Sequence, residues 1–300
     1  MSGTPRIDLH LHTTASDGQY PPAEVVALAR QRGLTTIAIT DHDTTDGVAD
    51  AQHAARAAIE TAQHAAAPGL MNPVVMAGIE LSAEDESGDV HMLGYCVNIH
   101  HAGLQAQLAR FRQDRADRAR GIVDKLAALG RPVAYERVVE IAAHSARRPG
   151  SIGRPHIARA MIERGYVDSI AEAFARYLNP GAPAYVARER LSPEDAVTLI
   201  HAAGGAAVLA HPAKLADYFG MIARLIPAGL DGVEVVHPAN DETVRLNLRG
   251  LAAAHGLIMT GGSDFHDRAD DGTLSIGSLT PPADAPARLA ERARQYAPPG

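Results

Sequence analysis

Seven short apolar runs in this chain stop on, or carry close to one end, an imidazole or a carboxylate, and this repetition limits the fold more than any other feature. Residues 7–11 alternate apolar side chains with Asp8 and His10 and lead to His12. Residues 35–40 (TTIAIT) run into Asp41-His42-Asp43, residues 73–79 into Glu80, and residues 89–97 begin with His91 near their start. Residues 206–210 (AAVLA) end at His211-Pro212, residues 232–236 at His237-Pro238, and residues 257–261 lead into Ser263-Asp264-Phe265-His266. Helical stretches separate several of these runs. Residues 22–32 open on Pro21-Pro22 and stop at Gly33, and further helices are expected over 47–67, 193–203 and 241–255. Strands alternating with helices, with polar residues at the strands' carboxyl ends, predict an α/β fold built as a parallel barrel or wound sheet, its chemistry collected on one rim.

The first run states the chemistry. In an extended chain, residues two apart lie about 6.5–7 Å apart on one side. His10 and His12 therefore share a face and can converge on one metal ion through bonds of about 2.0–2.1 Å. Taken alone, the pair could equally be two solvated histidines on a strand. The recurrence of His10, His12, Asp17, His42, Glu80, His91, His211, Asp264 and His266 at strand ends or a strand-end rim argues for a metal site, because a closed barrel brings those positions to one face.

Composition narrows the class. The 300 residues are 46% hydrophobic but only 4% aromatic, with no Trp, so Ala, Val, Leu and Ile must fill the interior. A single cysteine, Cys96, excludes an intramolecular disulfide framework and fits a reducing compartment; as a strand thiol it is expected to pack rather than ligate. No apolar run is long enough to span a bilayer and residues 1–6 lack a signal core, so the expectation is a soluble cytoplasmic protein without a membrane partner. The formal net charge of −7 argues against a stable long nucleic-acid partner, although bound cations can make one pocket locally positive.

The rhythm breaks over residues 103–188. Arg110, Arg112, Arg115, Arg118 and Arg120 crowd one segment, best read as a solvated helix face, and Ile122, Val123, Leu126 and Leu129 follow at helical spacing up to Gly130. Val138, Val139 and Ile141 continue a helix, 155–164 form another, and Ser169 with Glu172 makes a capping box for a last one. The expected organisation is a discontinuous barrel, 1–102 and 189–300, with an all-helical insertion at 103–188 capping the active site. Pro155 at a helix start leaves outward N–H groups in Ser151-Ile152-Gly153-Arg154-Pro155-His156, an anion site by geometry. Arg154 can grip a phosphate with its two-pronged guanidinium, His156 can add a donor, and Lys214 and His237, just past strand ends, are further candidate substrate contacts.

Four motifs, His10-Leu11-His12, Thr40-Asp41-His42, Ala210-His211-Pro212 and Ser263-Asp264-Phe265-His266, with Glu80 and His91 in order between them, resemble the PHP (polymerase and histidinol phosphatase) family of metal-dependent phosphoesterases. The resemblance covers nearly all of the chain outside the insertion, and implies a distorted (β/α)7 TIM-like barrel. Through Gly153-Arg154-Pro155-His156 the insertion resembles a bacterial branch of nucleotide 3′,5′-bisphosphate phosphatases that also act as 5′-to-3′ exoribonucleases. It implies two to three divalent ions: one on His10, His12, Glu80 and Asp264, a second sharing Glu80 with His91 and His211, and a third on Asp17, His42 and His266. Asp17 stands where some relatives carry histidine, which makes the third site richer in oxygen. Ligation by nitrogen and oxygen suits Mn²⁺, Zn²⁺ or Fe²⁺, and the branch favours Mn²⁺.

The resemblance implies that a metal-bridged hydroxide, held by the ions on Glu80, His10, His12 and Asp264, attacks the phosphorus and expels the 3′ oxygen. The expected substrate is a nucleoside 3′,5′-bisphosphate, gripped at its 5′-phosphate by the Arg154 segment, or short 5′-phosphorylated RNA by the same chemistry. Asp41 and Asp43 flank His42 as either supporting partners or solvated loop residues. The competing readings are an amino-acid phosphate phosphatase, an amidohydrolase and a non-catalytic metal-binding module. The several anion donors of the insertion argue against the first, the second has no evident use for an arginine clamp, and the third would be expected to have lost ligands.

Overall fold

Ile7–Leu11 (β1) is buried at every position and pairs in parallel with Thr36–Ile39 (β2), which pairs in parallel with Val74–Asp85 (β3). Between them run helices Pro22–Gln31 (α1) and Asp46–His64 (α2). Pro22 sits in the first turn of α1, where its missing N–H costs nothing, and Gly33 follows the helix at φ +69°, a backbone that favours glycine. The computed structural model describes residues 6–64, 72–86, 88–144, 152–187, 191–268 and 272–297. The expected end of the second helix at 65–67 lies outside them, as does Ser151.

The all-parallel expectation fails at the fourth strand. Gly88–Tyr95 (β4) pairs antiparallel with β3, from Gly78 opposite Tyr95 to Asp85 opposite Gly88, and antiparallel again with Ala206–Leu209 (β5). A parallel return needs a crossover of a dozen or more residues, and the few residues joining β3 to β4 leave room only for a hairpin. Glu80 consequently stands within a 12-residue β3 and not at its end. Parallel pairing resumes from β5 through Gly232–Val236 (β6) to Ile258–Gly261 (β7). The seven strands follow in chain order, and Leu11 bridges Phe265 just beyond β7, which nearly closes the sheet into a barrel.

By contacts the chain divides into two units, residues 1–105 with 190–300 and residues 106–189. Helices Ala102–Ala128 (α3), Tyr135–Ala143 (α4), Arg154–Glu163 (α5) and Ile170–Ala173 (α6) run before and through the second unit, and the first resumes with helices Pro193–Ala202 (α7), Tyr218–Leu225 (α8), Glu242–His255 (α9) and Ala285–Ala293 (α10). Its core stacks Val25, Val26 and Ala29 of α1 with Ile37, Ile39 and Phe265, and Leu9 with Leu93, Val208, Ile258 and Leu289. The second unit is helical among its described residues. The arginine-rich segment and the apolar segment expected after it form one continuous helix, α3, and α6 passes into a π-helical turn, Phe174–Leu178. Leu126, Val138, Ile141, Ile157, Met161 and Leu178 close its core. Among the described residues no helix is long and apolar enough to cross a membrane.

Candidate metal centre

Nine of the side chains singled out from the sequence meet at the carboxyl-end rim of the first unit. His10 and His12 project from the end of β1, and their Nε2 atoms both stand 3.3 Å from Glu80 Oε2. Asp264 Oδ1 lies 3.4 Å from His10 Nε2 and 3.3 Å from His12 Nε2. Ligand atoms about 2.1 Å from a tetrahedral ion lie about 3.4 Å from one another, so this quartet has the spacing of a coordination shell. His10 Nε2, His12 Nε2 and Glu80 Oε2 are buried and make no hydrogen bond among the described residues. Buried polar atoms without partners are costly, and a shared cation would satisfy all three.

Two further groups adjoin the quartet. Glu80 Oε1 lies 2.8 Å from His91 Nδ1 and 2.9 Å from His211 Nε2, and Glu80 Oε2 lies 3.0 Å from His42 Nδ1. Glu80 thus stands at the centre, within reach of five imidazoles. His12, Asp17, His42 and His266 form the other group, with His266 Nε2 3.3 Å from Asp17 Oδ1. His266 Nδ1 donates to the Asp264 carbonyl at 2.9 Å, which turns Nε2 toward Asp17's side of the group. The arrangement can hold divalent ions on nitrogen and oxygen. Cys96 belongs to none of these groups, and burial pushes its thiol up to about 11.

The charge pattern suits cations. Burial works against charge on Glu80, but the imidazoles of His42, His91 and His10 hold its carboxyl well below the usual carboxylate range. Burial likewise opposes ionisation of Asp264, and His10, His12 and His237 reverse it, so its carboxyl also lies far below that range. Both remain anionic at neutral pH.

Backbone conformation aims several of these groups. Asp264 (φ +52°) and His211 (φ +28°) lie in the left-handed region that non-glycine residues seldom occupy, a strain typical of sites held by their surroundings. Gly262 lets the loop after β7 lie against β1, since a Cβ there would come 2.4 Å from His10 N and 2.6 Å from Asp8 Oδ1. Asp8, which the sequence reading passed over, accepts from Ser263 N (2.9 Å), Ser263 Oγ (2.6 Å) and Gly277 N (2.8 Å), and burial pushes its carboxyl up to about 6. Asp41 accepts from Thr13 N, Thr13 Oγ1 and Ser16 Oγ, and Asp43 from Ser82 N and Oγ. These two carboxylates therefore fix the loops beside His12 and Glu80 and are not merely solvated. Glu234, in β6, also went unnoticed. Its apolar neighbours make GVEVV look like a plain buried strand, and a carboxylate inside such a run was the available signal.

The substrate candidates divide. Lys214 Nζ and His237 Nε2 lie 3.2 and 3.1 Å from Asp264 Oδ2, on the oxygen turned away from the quartet. Arg154 and His156 belong to the helical unit. There Arg154 Nη1 donates to the Leu178 carbonyl at 3.2 Å and its guanidinium lies over the Phe174 ring, and among the described residues the other donors of the fork have no hydrogen-bond partner. His156 Nδ1 accepts from Gly153 N at 3.0 Å, closing a capping box on α5, and its ring is buried.

The PHP domain family matches residues 8–180 of this chain. A 3′,5′-nucleoside bisphosphate phosphatase of Chromobacterium violaceum is 35% identical over 272 residues, covering 89% of each chain. The 5′-3′ exoribonuclease Rnm of Escherichia coli is 34% identical over 263 residues, 86% of this chain and 84% of its own. Among solved structures, an amidohydrolase from Chromobacterium violaceum with bound sulfate and no metal superposes with a TM-score of 0.70 at 33% identity, covering 96% of each chain.

Proposed function

The chain belongs to the PHP domain family of metal-dependent phosphoesterases, and from that premise we propose that it hydrolyses the 3′-phosphate of nucleoside 3′,5′-bisphosphates, giving nucleoside 5′-phosphate and inorganic phosphate. The observation that carries this reading is the quartet of His10, His12, Glu80 and Asp264 around one point, with two more ligand groups sharing Glu80 and His12, in a chain 35% identical to a bisphosphate phosphatase. Two to three divalent ions, Mn²⁺ favoured, would sit on His10, His12, Glu80 and Asp264, on Glu80 with His91 and His211, and on Asp17, His42 and His266. Such ions supply Lewis-acid polarisation of phosphoryl oxygens and a water of lowered pKa.

The chain's own residues do the rest. Glu80 and Asp264, both ionised, would supply the negative charge that holds divalent ions among these imidazoles, Glu80 from the position where two ligand groups meet. Lys214 and His237, beside Asp264, supply donors to the phosphoryl oxygens as charge builds on them. Arg154 grips the 5′-phosphate with the donors its Leu178 contact leaves over, and this selects a bisphosphate over a 3′-monophosphate. His156, capping α5, holds the Arg154 segment in shape, with Ser151 as a further candidate contact.

A second reading has its own support. Fifteen of the 28 Lys and Arg residues fall within 106–189, but only nine of the 35 Asp and Glu. The helical unit is therefore basic within an acidic chain, as suits a longer anionic substrate. With the 34% identical exoribonuclease, this favours a 5′-to-3′ exoribonuclease activity on short RNA by the same chemistry.

The test is phosphate release with Mn²⁺ from a nucleoside 3′,5′-bisphosphate, compared with the 3′- and 5′-monophosphates. The bisphosphate should be hydrolysed fastest. Equal rates on all three would defeat recognition of the 5′-phosphate, and no release from any would defeat the phosphatase reading.

A further inference from the structure

Glu234 lies in β6 with no accessible surface, and both its oxygens are committed. Oε1 is 2.9 Å from His10 Nδ1, and Oε2 accepts the backbone N–H of His211 at 2.7 Å. A carboxylate only accepts, so the hydrogen between Glu234 and His10 belongs to Nδ1. His10 is then left with its Nε2 lone pair directed at Glu80 and Asp264, the orientation a ligand needs. The bond to His211 holds a residue in left-handed backbone, φ +28° and ψ 61°, where a fixed partner is required to keep it. Glu234 is anchored in turn. Asn240 Nδ2 donates to the carbonyls of Glu234 (3.0 Å) and Val235 (3.1 Å), while its Oδ1 accepts from Ala213 N (3.2 Å).

His10, Glu234 and His237 are also close enough together to resemble an ion site. His237 Nδ1, however, accepts from Ala239 N at 3.0 Å, so the neutral ring carries its hydrogen on Nε2 and has no lone pair to offer. With both Glu234 oxygens engaged as well, this group supports the neighbouring ligands and does not hold an ion of its own.

We propose that Glu234 is a positioning residue that sets two metal ligands from different strands at once, His10 through its ring and His211 through its backbone. This rests on the metal-dependent reading above. Outer carboxylates of this kind typically change metal affinity 10–100-fold when replaced. Glu234→Gln keeps the size of the side chain, but its amide nitrogen must face one of two N–H donors, so one bond is lost whichever way it turns.

The experiment strips the full chain of metal with a chelator and titrates wild type and E234Q with Mn²⁺, then with Co²⁺ followed by visible absorption. The expected result in E234Q is one binding step weakened about 10–100-fold with a changed Co²⁺ spectrum, other steps moving less than about twofold, and a metal-free melting temperature lowered by no more than about 5 °C for the one lost bond. The proposal is overturned by unchanged affinities and spectrum. It is equally overturned if all steps weaken together with a metal-free melting temperature lowered by more than that, or if an ion is lost outright with the others unaffected. Should E234Q fail to fold, NMR of the Zn²⁺-loaded wild type decides: a slowly exchanging Nδ1–H on His10 supports the proposal, and a hydrogen on Nε2 or a freely exchanging Nδ1–H overturns it. A weakened Mn²⁺ step in a chain that releases no phosphate from a bisphosphate would sink the function and leave this role standing; phosphate release with all steps unmoved would do the reverse.

Discussion

His12 and Asp264 approach through Nε2 and Oδ1 at 3.3 Å, although 252 positions part them in the chain and one follows β1 while the other follows β7. Only closure of the barrel brings them together. Replacing Asp264 with Asn keeps the shape and removes the anion that the quartet needs. Phosphate release by D264N is expected to fall by more than about 100-fold, with at least one ion lost, as measured by steady-state assay and elemental analysis of the purified protein.

Removing the ions should have a structural as well as a catalytic effect. Chelation leaves His10 Nε2, His12 Nε2 and Glu80 Oε2 buried with no hydrogen bond among the described residues. A metal-free sample should be inactive and melt at a lower temperature, and Mn²⁺ at about 100 times its dissociation constant should restore about 2.7 kcal/mol. A melting curve that ignores chelator and Mn²⁺ alike would count against the centre.

Gly262 tests the geometry without touching a ligand. Its neighbours His10 N and Asp8 Oδ1 leave no space for a methyl group, and both are fixed by the strand. Gly262→Ala should cost about 1–3 kcal/mol in urea unfolding and reduce metal content, because the loop bearing Asp264 must move outward.

Arg154→Ala should raise KM for a nucleoside 3′,5′-bisphosphate about tenfold or more while leaving activity on a 3′-monophosphate little changed. Parallel losses on both substrates would remove Arg154 from 5′-phosphate recognition.

Away from the centre, Asp231 ties α10 to the barrel. It accepts from His201 Nε2, Arg292 Nη1, Tyr296 Oη and Ala207 N, each at 2.8 Å. Burial opposes its charge, but these donors, His201 foremost, hold its carboxyl below the usual value. A depressed folded value means the stabilisation is fully present above the unfolded pKa of about 3.9 and is lost as pH falls through the folded one. Asp231→Asn should therefore cost about 3–5 kcal/mol at pH 7, and the gap to wild type should narrow below pH 4 in denaturant titrations.

Much of this was legible in the sequence because strands and imidazoles have simple periods. His10 and His12 share a face by alternation, and His42, His211, Asp264 and His266 each sit just past an apolar run. The hairpin at β4 departs from the parallel series that the apolar runs suggest, because too few residues separate Glu80 from Asp89 for a crossover helix. Asp8, Asp231 and Glu234 carry no legible role in the sequence for a different reason. Each is a single acid among apolar residues, and what commits it is a donor supplied from elsewhere in the fold, such as Ser263 for Asp8 or His10 for Glu234, which spacing alone does not reveal.

The bridge from Leu11 to Phe265 also has a bearing on how the chain is made. While a ribosome is still synthesising it, β1 emerges early with His10 and His12, but the seam they share with Asp264 stays open until almost the whole barrel has been translated. Contacts this remote in sequence form slowly. Six of the nine candidate ligands, His10 to His91, are made before the helical unit, and His211, Asp264 and His266 join them only when the last strands arrive.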